Sequence, residues 1–163
     1  CKAYRRQYGC NFISAIPCNL YGLNDKYDTD RSHVIPALVM RAHTAKINGD
    51  CKFSIWGSGK PLREFLYSDD LVRALLMLLE NYSGEEAVNI GSSQEISIYD
   101  LARMILNVVS LEADIEPDIS KPDGIARKLL DSSVINHMGW KPEISLQAGL
   151  KRAYQDYLNR YSA

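Results

Sequence analysis

The sequence predicts a mixed α/β fold, and three observations carry that prediction. Short runs rich in β-branched and aromatic residues alternate with longer segments whose apolar residues return at helical spacing. Breaks rich in Asn, Asp, Gly and Pro separate them. The 163 residues suffice for one well-packed domain and are short for two.

Cys1 to Tyr8 reads as the middle of a helix, without an initiator Met or the apolar core of a secretion signal. Asn11 to Pro17 is an apolar run between Gly9 and a proline, the pattern of a buried strand in a parallel sheet. Cys18 to Ser32 is dominated by Asn, Asp, Gly and Tyr, which predicts a long working loop. Ser32 is placed to cap a helix over His33 to Ile47, with Val34, Leu38, Ala42 and Ala45 on one face. Cys51 to Trp56 alternates as a half-buried strand does and runs into the turn Gly57-Ser58-Gly59-Lys60-Pro61.

Ser68-Asp69-Asp70 supplies capping groups for a helix to about Asn81, and Leu71, Leu75, Leu78 and Leu79 are expected to pack against the sheet. Ala87 to Gly91 and Glu95 to Ile98 read as strands, and Tyr99 to Ser110 as a helix. Ala113 to Asp118 reads as a further strand and Ser120 to Gly124 as loop. Asp131 or Ser132 caps a short helix to Met138, and Ser145 caps a longer one to about Arg160.

Charge and composition exclude several classes. Twenty acidic and 19 basic residues leave a net charge of −1, with no run of five like charges, so no nucleic-acid-binding stripe is expected. The longest apolar run, Ala74 to Leu79, is far short of a membrane span, so no membrane partner is expected. Cys1, Cys10, Cys18 and Cys51 lack metal-site or disulfide-framework spacing, which predicts reduced thiols in a cytoplasmic protein and no metal.

Glycine loops that cradle phosphates are missing. Gly57 and Gly59 begin a Gly-x-Gly, but Leu62 stands where the third glycine belongs, and a strand-like segment follows. No tyrosine has a lysine four residues later, so the Tyr-x-x-x-Lys pair used for proton transfer in short-chain dehydrogenases is absent from the 163 residues.

Trp56 to Phe65, followed by Tyr67-Ser68-Asp69-Asp70, combines an aromatic face, a flexible bend and a guanidinium. A nucleotide sugar needs a ring to pack on, close backbone approach to its phosphates, and a bidentate cation. The same residues also fit a plain hairpin, with Trp56 in the core and Arg63 paired to Glu64 or Asp70.

Beyond that segment, Pro17-Cys18-Asn19-Leu20-Tyr21-Gly22, Asn24-Asp25, Ser32-His33-Val34-Ile35-Pro36-Ala37-Leu38, Ser120-Lys121-Pro122-Asp123-Gly124 and Arg127 to Asp131 occur in order along the chain. Together these motifs resemble the GDP-L-fucose synthase family over essentially all 163 residues. These are extended short-chain dehydrogenases that epimerise GDP-4-keto-6-deoxy-mannose at C3 and C5 and reduce C4 with NADPH. The resemblance implies the C-terminal part of such a fold: the last Rossmann strands within residues 1–33, and a smaller α/β nucleotide-sugar-binding domain over 34–163.

By the same resemblance, Pro17, Cys18, Asn19 and Leu20 approach the nicotinamide end of NADP. Cys18 replaces the family's usual Thr, and Leu23 its usual Pro. His33 is implied as the acid of epimerisation and as a cofactor neighbour, and an imidazole suits this because it exchanges protons near neutral pH. Arg41, Trp56, Arg63, Asp123 and Lys128 match the GDP-sugar positions. His43 and His137 read as caps or surface residues.

The family's glycine fingerprint, catalytic Ser and Cys, and Tyr-x-x-x-Lys belong to a segment preceding the match to Cys1. The chain is therefore expected to need a separate N-terminal Rossmann half, to bind NADPH weakly and not to turn over alone. An exposed apolar face is expected to favour homo-oligomers. The competing readings are a stand-alone nucleotide-sugar-binding or interaction module, and part of a related nucleotide-sugar epimerase or dehydratase.

Overall fold

The computed structural model describes residues 1–28 and 32–161. In chain order it runs α1 (Lys2–Tyr8), β1 (Ala15–Pro17), β2 (Asn19–Tyr21), α2 (Val34–Asn48), β3 (Lys52–Trp56), β4 (Leu62–Tyr67), α3 (Ser68–Asn81) and β5 (Val88–Ile90). It continues through β6 (Glu95–Ser97), α4 (Ile98–Val109), β7 (Asp114–Asp118), β8 (Arg127–Lys128), α5 (Ser133–His137) and α6 (Leu146–Tyr161). The mixed α/β class is the predicted one, while strands β2 and β8 are not among the expected elements.

Strands β1 and β5 pair in parallel, with Ala15 opposite Val88, and β3 pairs in parallel with β7, with Lys52 opposite Asp114. Strand β4 is the hub of the remaining sheet. Its second half, Phe65 to Tyr67, runs parallel to β2, while its first half meets β6 antiparallel and β8 parallel. Strands β3 and β4 pair with different partners, so the hairpin alternative for Trp56 to Arg63 does not form.

The two-residue period of a strand sends neighbouring side chains to opposite faces, and β4 uses this to separate two cores. Phe65 and Tyr67 enter a core built with α2, β3, α4 and α6, among Ile35, Leu38, Ile55, Leu101, Ile105 and Leu150. Leu66 points into a second core with Cys18, Leu78, Val88, Ile90, Ile135 and Trp140. Strand β3 shows the predicted alternation, with Phe53 and Ile55 buried between exposed Lys52, Ser54 and Trp56.

Several local expectations change. The strand predicted over Asn11 to Pro17 forms only at its end, as β1. Within the predicted loop from Cys18 to Ser32, Asn19–Tyr21 is strand β2, because the long-range pairing with β4 satisfies its backbone; residues 29–31 of that loop lie outside the described residues. Ser32 does not cap α2: its hydroxyl donates to Lys26 O and accepts from Asp28 N, and His33 occupies the cap position.

On α3 only Ala74 and Leu78 of the apolar positions are fully buried, so Leu75 and Leu79, expected against the sheet, face outward. His43, expected at a cap or the surface, is buried, with Nδ1 3.0 Å from Tyr154 Oη. Ser97 caps α4 by accepting from Asp100 N at 3.0 Å, and Ser145 reaches Ala148 N at 3.3 Å at the start of α6. The four cysteines are free thiols, and no described helix is long and apolar enough to cross a membrane.

Candidate functional site

A cavity of about 660 Å³ opens where β2, the start of α2 and β4 meet. It is of the size that admits a substantial ligand. Its walls include Cys18, Asn19 and Leu20 from the predicted cofactor segment, His33 from the head of α2, and Arg63 and Phe65 from one face of β4. Cys18, Asn19, Leu20, His33 and Arg63 thus converge although 44 positions separate Asn19 from Arg63. Pro17 is exposed at the end of β1 and is not among the lining residues.

Arg63 is the cation of this cavity. Its Nη1 donates to Leu62 O at 2.8 Å and to Ile125 O at 2.6 Å, which fixes the side chain without spending its charge. Among the described residues it forms no ion pair, in contrast to the expected alternative of a bond to Glu64 or Asp70. A guanidinium held by carbonyls keeps donors for a phosphate.

His33 precedes α2 in an extended conformation, is exposed, and makes no side-chain capping bond. Its imidazole stands at the positive end of a 15-residue helix. Asn19 is fixed at both ends of its amide: Nδ2 donates to Glu64 O at 2.8 Å and Oδ1 accepts from Lys128 Nζ at 3.4 Å. Lys128 therefore reaches the cavity through Asn19. Burial pushes the Cys18 thiol up to about 12, with Glu64 adding to the shift, so Cys18 is a neutral, packed thiol.

Trp56 and Asp123 form a separate rim. Trp56 is 67% exposed, so the expected alternative of a core tryptophan is not what forms. Lys121 Nζ stands 5.9 Å from its ring centroid. Asp123 Oδ1 accepts from Ser58 N at 2.8 Å and Oδ2 from Ser58 Oγ at 2.7 Å, and these bonds hold its carboxyl below the ordinary aspartate range. The 119–126 loop is thereby bound to the Gly57 turn through Asp123 and to Arg63 through Ile125 O.

Arg41 is not brought to this cavity. Its guanidinium donates to Ser54 O, lies 5.3 Å from the Phe53 ring centroid, and borders a shallower hollow with Thr44, Asp50 and Lys52. Half-burial lowers its pKa from the usual arginine value.

The structure adds Gly22, Asp25, Ser68 and Ile98 to the cavity lining. In sequence Ser68 and Asp25 stand only as members of motifs, with no site role of their own. Gly22 could have been found from its place in the Tyr-Gly motif, because a Cβ there would overlap the Ser68 hydroxyl.

The pattern of the NAD dependent epimerase/dehydratase family matches residues 1–91. A GDP-L-fucose synthase of Sinorhizobium fredii is 54% identical over 159 residues, covering 98% of this chain and 51% of that protein. GDP-L-fucose synthase 1 of Arabidopsis thaliana is 51% identical over 158 residues, covering 97% and 49%. A crystal structure of a GDP-L-fucose synthetase from Naegleria fowleri bound to NADP superposes with a TM-score of 0.88 at 32% identity, covering 99% of this chain and 51% of that one. The chain spans about half the length of the curated relatives it matches.

Proposed function

The chain belongs to the NAD-dependent epimerase/dehydratase family, and from that premise we propose that it is the GDP-sugar-binding portion of an NADP-dependent GDP-4-keto-6-deoxy-mannose 3,5-epimerase/4-reductase. The observation that carries this reading is Arg63: a cation without an acidic partner among the described residues, in one cavity with His33 and Asn19. Relatives named GDP-L-fucose synthase, matching nearly the whole chain, support the choice of nucleotide sugar.

In this reading Arg63 neutralises the diphosphate, with Lys128 adding charge through its contact with Asn19. His33 returns a proton to the sugar carbon during epimerisation. Trp56 and Asp123 line the rim on which the rest of the nucleotide sugar lies, while Arg41 stands outside this cavity, on another hollow. NADP, when bound, supplies the hydride for reduction at C4. The residues fit its nicotinamide end: Cys18 and Leu20 give an uncharged wall, and Asn19 presents an amide whose position is fixed at both atoms.

Residues 1–33 carry the cofactor and catalytic loop, and 34–163 mainly the nucleotide-sugar portion. The Tyr-x-x-x-Lys pair and glycine fingerprint do not occur in these residues, so we read the chain as binding GDP-sugar without turnover unless a Rossmann half is supplied. Exposed Val72, Leu75, Leu76 and Leu79 on α3 support a partner for that face.

A thermal-shift comparison tests the proposal, since a ligand that binds only the folded state raises its stability in proportion to ln(1 + [L]/Kd). GDP-fucose is expected to raise the melting temperature while NADPH raises it little, and no NADPH consumption with the keto-sugar is expected. Sustained NADPH oxidation by the purified chain would refute the binding-only role.

A further inference from the structure

Glu64 lies in the Arg-Glu-Phe motif but on the face of β4 opposite Arg63, and it is completely buried. Its Oε1 accepts from Ser93 N at 2.6 Å and its Oε2 from Leu130 N at 3.2 Å. Gly91 packs directly against the carboxylate: a Cβ there would lie 2.7 Å from Cδ. Among the described residues no Lys, Arg or His forms an ion pair with Glu64. The side chain is therefore committed to main-chain groups from two distant segments.

Those segments matter to the cavity. Residues 119–131 carry Asp123, the Ile125 carbonyl that receives Arg63, and Lys128, which reaches Asn19. The segment is tied down by Asp123 on Ser58, by Arg63 on the Ile125 carbonyl, by the short pairing of β8 with β4, by the two bonds of Arg127 to Glu95, by Asn89 on the Asp131 carbonyl, and by Leu130 on Glu64. The side-chain ties other than the last are solvent-exposed, whereas the last ends on the fully buried Glu64 carboxylate, where a hydrogen bond to a charged acceptor is stronger. The main-chain oxygen of the same Glu64 holds the amide of Asn19. One residue thus joins the cofactor segment at its backbone to the substrate segment at its side chain.

We propose that Glu64 is the positioning residue of the site: its carboxylate fixes segment 119–131 on β4 and so sets where Arg63 and Lys128 stand relative to the cavity. The proposal rests on the reading of that cavity as a GDP-sugar site. Glu64→Gln keeps the shape but turns an amide N–H₂ toward one of two backbone N–H groups, so either Ser93 or Leu130 loses its acceptor.

The test pairs amide hydrogen exchange with titration of GDP-fucose, on the wild-type chain, Glu64→Gln and Arg63→Ala. Glu64→Gln is expected to accelerate exchange at Leu130 and across 127–131 by about tenfold and to weaken GDP-fucose binding by about tenfold, the effect of one lost hydrogen bond to a charged acceptor. Arg63→Ala is expected to weaken binding while Leu130 exchange stays as in the wild type, which separates positioning from contact. Wild-type affinity in Glu64→Gln, with the wild-type chain binding, overturns the proposal and leaves the cavity reading standing. Absence of binding by the wild-type chain instead overturns the cavity reading, and unchanged Leu130 exchange in Glu64→Gln then removes the anchor as well. If Glu64→Gln does not fold, Glu64→Asp draws the carboxylate back by one methylene and gives the same readouts.

Discussion

Asp123 holds Ser58 by both the backbone and the side chain, one carboxylate oxygen on the amide and the other on the hydroxyl, at 2.8 and 2.7 Å. The bonded turn follows directly from Trp56, so the carboxylate sets the exposed indole's surroundings as well as the 119–126 loop. Gly57 allows the approach: its φ is +71°, and a Cβ there would overlap Asp123 Oδ1 and sit 3.2 Å from Cγ. Gly57→Ala is expected to lower stability by about 1–2 kcal/mol from the left-handed backbone alone, with the overlap added. Urea denaturation checks this, and Gly57→Ala combined with Asp123→Ala should recover the overlap component while the backbone component persists.

The same pair predicts a pH response. The Ser58 bonds lower the folded-state pKa of Asp123 below its unfolded value. The stabilisation is therefore fully present above the ordinary aspartate range and is lost as pH falls through the lower folded value. Trp56 fluorescence followed under acid titration should report the release, and in Asp123→Asn that transition should be missing.

Asp70 anchors the C-terminal segment. It is fully buried, accepts from Glu143 N at 2.9 Å and Ile144 N at 3.0 Å, and is paired with Arg73. Asp70→Ala removes the acceptor for two backbone groups and should cost about 3–5 kcal/mol, the range for breaking a buried charged contact. Arg73→Ala leaves both backbone donors satisfied and should cost about 1 kcal/mol, because Arg73 is partly exposed. Equal losses in chemical denaturation would show that the ion pair, not the backbone bonds, fixes this segment.

Arg63→Ala should weaken GDP-fucose binding by about 10- to 100-fold, the worth of charge-assisted bonds to phosphate. Arg63→Lys should recover only part of it, since an ammonium replaces the planar fork with a point charge. Calorimetric titration of the three proteins measures both steps.

What the sequence disclosed depended on how local the cause was. The alternation of Phe53 and Ile55 identified β3, and Leu101 with Ile105 identified α4, because burial of one face imposes its period on the residues themselves. Strand β2 escaped notice, since Asn19, Leu20 and Tyr21 are extended by pairing with β4 some 46 positions away. Asp70 read as a helix cap and is a clamp for residues 73 and 74 positions further on. At the site, Arg63, His33 and Asn19 were legible from their motifs and meet at one cavity, whereas Arg41 belongs to another hollow. Glu64 was visible only as Arg63's neighbour, because its partners Ser93 and Leu130 are 29 and 66 positions away.

The central claim, that the Arg63 cavity receives the diphosphate of a GDP-sugar, is tested most directly by mapping amide and side-chain NMR shifts during a GDP-fucose titration. The expected result is saturable perturbation centred on the Arg63 guanidinium, the Asn19 amide, and residues 32–35 and 123–128. A titration that leaves these signals unmoved, or moves only those around the hollow beside Arg41, would contradict it.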